Sequence, residues 1–108
     1  MHIPERDWKH LRNVSRRALE RYCERVLQEC ASILSDTGRT AHERYLALFQ
    51  LTRERDRELS RAFDDLRRST ATVRLVAMRE LGVVTDEEME GFSPETRGIV
   101  ERALSISW

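Results

Sequence analysis

From Ala41 to Leu81 the chain runs for 41 residues without a glycine or a proline. Those two residues punctuate helices most strongly, and nothing in this stretch opposes helix formation. Read as one helix, it extends about 60 Å at ~1.5 Å per residue. A small domain cannot cover so long a rod by itself. The rod must lie against other helices of the chain, a second copy or another partner.

The 108 residues suit a single domain. Within it, residues 1–82 read as a helical hairpin and 83–108 as a helical cap. The first helix is expected over about 4–34, with Pro4 in its first turn, where a missing N–H costs nothing. At 100° per residue, Trp8, Leu11, Val14, Ala18, Tyr22, Val26 and Ile33 fall on one half of the wheel, with Arg16, Arg17, Glu20 and Glu24 on the other. Asp36-Thr37-Gly38-Arg39 reads as a turn that offers Gly38 for a left-handed cap. Thr40 with Glu43 then forms a capping box that starts the second helix, expected over 41–81. So short a connection makes the two helices antiparallel neighbours.

The second helix carries an apolar stripe through Tyr45, Leu48, Phe49, Leu59, Phe63 and Leu66, and Gly82 ends it. Leu75 and Met78 point away from that stripe, so this end needs cover on a second side. The C-terminal segment supplies it. Thr85 and Glu88 form another capping box for a short helix at about 86–90, with Val84 and Met89 as its staple. Ser93-Pro94 opens a last helix at about 94–104, with Phe92, Ile99 and Val100 available to bury. Ser105 to Trp108 carries no assignable structure. The fold class is all-α: a long antiparallel hairpin with two short C-terminal helices, dimerising into a bundle.

One anomaly interrupts the second stripe, at Thr52-Arg53-Glu54-Arg55-Asp56-Arg57-Glu58. Helical spacing puts Thr52, Arg55 and Asp56 on the inward side, opposite Tyr22 and Cys23. An arginine removed from water needs a partner, and Asp56 and the Tyr22 hydroxyl are the expected ones. Arg55, Asp56, Thr52 and Tyr22 are thus the candidate polar layer or anion site. The structural alternative is a layer that only fixes register, or an exposed charged turn.

Chemistry is otherwise sparse. His2, His10 and His42 are scattered, and no His or Cys pair has metal-ligand spacing. No phosphate loop, nucleophile elbow or dinucleotide fingerprint occurs. No catalytic residue, metal or cofactor is expected. Cys23 and Cys30 lie seven apart, about 10.5 Å along a helix at ~1.5 Å per residue, too far for a bridge. They are expected as buried thiols, in a reducing cytoplasm. There is no apolar run of membrane-spanning length.

Charge narrows the partners. Nineteen basic residues balance nineteen acidic ones, and all the basic ones except Lys9 are Arg. Residues 1–82 carry +4 and residues 83–108 carry −4. Arg53, Arg57, Arg61, Arg67, Arg68 and Arg74 could form a nucleic-acid face, but Glu54, Glu58, Asp64 and Asp65 interleave at helical spacing. Nucleic acid is possible but disfavoured, and a membrane is not expected. The expected function is a non-catalytic protein–protein interaction module, either a scaffold or adaptor or a homodimeric regulator, with an unknown protein partner. The alternatives are a nucleic-acid-associated regulator and, third, an Arg-clamp anion sensor or enzyme. Trp8, Leu11, Leu75 and Met78 are the expected interface, because the first helix is apolar over more of its wheel than one neighbour can cover.

Overall fold

The computed structural model describes residues 3–106 and is all-α. Its helices are α1 (Glu5–Leu34), α2 (Ala41–Phe63), α3 (Ala71–Glu80), α4 (Asp86–Glu90) and α5 (Pro94–Ile106). Met1, His2, Ser107 and Trp108 lie outside the described residues. Both capping boxes form as the sequence implies, Thr40 with Glu43 and Thr85 with Glu88. Gly82 takes a left-handed φ of 76° after α3. Gly38 is not left-handed. There the Asp36 carboxylate accepts the Gly38 N–H at 3.0 Å and closes the turn instead.

The 41–81 stretch is not one helix. After Phe63 the backbone turns extended at Asp64, and Asp65 takes a left-handed φ of 56°. Aspartate tolerates that region better than most residues. Thr70 stabilises the turn: its hydroxyl donates to the Asp65 carbonyl at 2.7 Å and accepts the Arg67 N–H at 2.9 Å. Arg74 reaches back to the carbonyls of Asp64 (2.7 Å) and Arg61 (3.0 Å), which satisfies the open end of α2. Folding α3 back buries Ala71, Leu75 and Met78 completely. Each large apolar side chain so buried contributes about 1.5–3 kcal/mol. That gain outweighs the few helical hydrogen bonds lost at the break.

The core lies at one end of the molecule. Leu11, Val14, Ala18 and Tyr22 of α1 meet Ala62, Leu75, Met78, Val83, Val84, Met89, Phe92 and Val100. Three of the residues expected at an interface, Leu11, Leu75 and Met78, are wholly buried within one chain. Trp8 packs against the same core. The reason is the break: α3, α4 and α5 wrap the first half of α1, so its wide apolar face is covered without a second copy.

Arginine forks bind carbonyls at helix ends and in the connection between α3 and α4. Arg44 donates to the Leu34 carbonyl at 2.8 Å, Arg25 to Leu81 at 2.7 Å and Arg21 to Val83 at 2.9 Å. Arg79 reaches Val84 at 2.7 Å, and Arg97 reaches Glu90 at 3.1 Å. The planar guanidinium presents several fixed donors, and free C-terminal carbonyls need them.

Close packing sets one glycine. A Cβ built on Gly91 would lie 2.4 Å from His10 Nε2. That ring sits edge-on to Phe92 at 4.5 Å and its Nε2 lies 2.8 Å from the Glu88 carbonyl. Gly91→Ala is expected to cost about 1–3 kcal/mol through overpacking. Thermal melts of Gly91→Ala alone and with His10→Ala check it. The second change should shrink the cost of the first, and additive costs would refute the clash.

Candidate functional site

Beyond the core the first two helices continue alone. No residue from 23 to 61 is buried. This arm makes the molecule elongated, 51 × 28 × 24 Å. At its base the arm still touches the body, where Arg25 donates to the Leu81 carbonyl and Val26 and Leu59 pack against the core. Farther out the two helices share a single seam, and their other faces meet water.

The seam contains the polar layer. Arg55 donates through Nε and Nη2 to both carboxylate oxygens of Glu29, each at 3.0 Å, and its Nη1 lies 3.4 Å from Glu58. The Glu29 fork raises the Arg55 pKa further, and Arg55 in turn holds the Glu29 carboxyl below its usual range. The Tyr22 hydroxyl lies 2.8 Å from both the Arg55 carbonyl and Glu58. Burial, then Glu58, pushes the Tyr22 pKa up.

Asp56 is not the partner of Arg55. It is exposed and lies, with Thr52, on an open groove that Tyr22 and Arg55 also line. The Thr52 hydroxyl donates to the Phe49 carbonyl at 3.0 Å. Arg55 therefore has its donors engaged by two carboxylates, which leaves little positive potential for an anion. Both members of the Arg55–Glu29 pair are about one-third exposed, so the pair contributes about 0–1 kcal/mol.

The open face of the arm is apolar. The groove is about 230 Å³ and is lined by Cys23, Val26 and Leu27 of α1 and by Thr52, Asp56 and Leu59 of α2. Helical spacing extends it: Leu34 lies two turns beyond Leu27, and Tyr45 and Phe49 continue the α2 row. Leu27 is 65% exposed, Leu34 56%, Tyr45 65% and Phe49 53%. The Tyr45 and Phe49 positions expected in the core are thus solvent-facing, because no third helix reaches this level. Cys23 and Cys30 are free and half-exposed rather than buried, for the same reason. Leu27 and the Glu29 partner were not singled out from the sequence. The seven-residue spacings Cys23–Cys30 and Leu27–Leu34 were the available signal for the face.

The arginines weighed, and disfavoured, as a nucleic-acid stripe are divided by the break. Arg67 pairs with Asp65 at 2.8 Å, Arg68 with Glu5 at 2.6 Å, and Arg74 caps α2. Among the described residues no cluster of three His, Cys, Asp or Glu side chains is placed to hold a metal ion. Likewise none of the described helices is long and apolar enough to cross a membrane. Fold and surface together define an all-α protein: a helical body that presents a two-helix arm with one apolar face. Comparison with protein-family models, curated proteins and solved structures gives no match.

Proposed function

We propose that this chain is a non-catalytic protein–protein interaction module whose working part is the arm. The observation that carries this reading is the absence of any buried residue from 23 to 61, in a segment that displays Leu27, Leu34, Tyr45 and Phe49. An isolated helical pair with one seam is marginally stable in water, and a partner on its apolar face supplies the missing burial. Half-exposed free thiols at Cys23 and Cys30 suit a reducing compartment such as the cytoplasm.

The test is site-specific photo-crosslinking in cells. A photoreactive residue at Leu27 or Phe49 is expected to yield a protein adduct of one discrete mass. The same residue at Ser32, on the opposite side of α1, should not. Equal yields at all three positions, or none at any, would overturn the reading.

A further inference from the structure

The two rows that flank the open groove have an internal symmetry. On α1 the row is Leu19, Cys23, Val26, Leu27, Cys30 and Leu34. It reads alike from either end about a point between Val26 and Leu27. On α2 the row is Tyr45, Phe49, Thr52, Asp56, Leu59 and Phe63. It too is symmetric by class about residue 54: aromatic ends, then apolar groups, then a polar centre.

The two midpoints lie at the same level of the arm. Tyr22 and Glu58 touch across the seam at 2.8 Å, and each sits about one helical turn of ~3.6 residues from its own midpoint, toward the body. A single twofold axis, in the plane of the face and perpendicular to the arm, can therefore pass through both.

We infer that the occupant of the face is a second copy of this chain, docked antiparallel as a four-helix bundle. The inference rests on the reading of the arm as the docking element. About that axis α1 meets the partner's α1 and α2 meets the partner's α2. Leucines 19 and 34 then face one another, as do cysteines 23 and 30 and aromatics 45 and 63. The one charged group in either row, Asp56, faces the hydroxyl of Thr52 across the interface. An axis parallel to the arm would set α1 against α2 and lose every one of these matches. Charge permits the pairing, because acidic and basic residues balance over 23–61. Two such faces, each with exposed Tyr45, Phe49, Leu27 and Leu34 and a partly buried Phe63, hide on the order of 1,000 Å² or more, where specific interfaces begin.

Light scattering with sedimentation, on the full chain, measures the mass. A two-chain species is expected, and Leu27→Glu should weaken association at least tenfold while the helical circular dichroism is retained. A short bis-maleimide tests the geometry by adding one thiol S–H across each of its C=C bonds. Cys23→Ser and Cys30→Ser chains should each resist covalent dimer formation alone. Mixed together they should cross-link, since the remaining Cys30 of one chain faces the remaining Cys23 of the other. Cross-linking within either single variant, or a monomer at high micromolar concentration, would overturn the inference. If photo-crosslinking at Leu27 still captured one partner of another mass, the interaction reading would survive that loss.

Discussion

Asp7→Ala is expected to lower the melting temperature by about 12 °C, from a loss of about 3 kcal/mol at ~4 °C per kcal/mol for a domain of this size. Asp7 is wholly buried on α1, yet it accepts three hydrogen bonds from the start of α5. They come from the Ser93 N–H at 2.9 Å, the Ser93 hydroxyl at 2.6 Å and the Thr96 hydroxyl at 2.5 Å. Alanine would strand buried donors, each at a cost of about 1–3 kcal/mol. Asp7→Asn keeps one acceptor oxygen and its new NH₂ can donate to the Thr96 hydroxyl, so it should cost roughly half as much. Thermal melts followed by circular dichroism compare the two. Equal, small losses would mean that α5 is held by apolar packing alone.

The same carboxylate contributes acid sensitivity. Burial raises the Asp7 pKa, but the bonds from Ser93 and Thr96 outweigh it and hold the value below the ordinary 3.8. A depressed folded pKa gives stability that is present above the unfolded value and lost as pH falls through the folded one. In Asp7→Asn that part of the pH dependence should vanish.

Glu88 should give the second large effect. It is the N3 residue of the α4 capping box and accepts the Thr85 N–H at 3.0 Å. Its carboxylate also takes Arg21 at 2.6 and 3.0 Å and Arg17 at 2.8 Å. Burial raises its pKa, yet the Arg21 and Arg17 bonds prevail and bring it from 4.5 to about 2. Glu88→Ala removes half a cap and the carboxylate link between α1 and α4, and leaves the His10 contact to the residue 88 carbonyl. The two arginines stay partly solvated, so the loss should be about 2–3 kcal/mol, below the ~3–5 kcal/mol of a fully buried pair. The stability from Glu88 is intact above pH 4.5 and disappears as pH falls toward 2. Melting temperatures from pH 7 to pH 2 should fall more gently for Glu88→Gln than for the parent. Identical slopes would show that Glu88 titrates normally in the folded protein.

The sequence cues for the helix break were present but faint. Asp64-Asp65 and Ser69-Thr70 are turn and cap formers inside an otherwise helical run. Without glycine or proline, helical propensity dominates any local reading. What overrides it is burial of Leu75 and Met78 in a core built with residues distant in sequence, among them Leu11, Val14 and Val100. The partner of Arg55 was hidden for a related reason. Asp56 is its sequence neighbour, but successive residues on a helix point to different faces. Glu29 lies across the seam, where a long guanidinium can reach both of its oxygens.

The sequence by itself determined where most helices begin and end. Capping boxes, the Ser-Pro start and the period of the apolar residues act over three or four positions, so they are written locally. Only the tertiary structure decided where the core stops. Three helices crowd around the first half of α1 and leave 23–61 with one seam. The same leucine-and-aromatic pattern is core at one end of the hairpin and open surface at the other. Periodicity states which side of a helix is apolar, whereas burial depends on whether another element arrives to cover it.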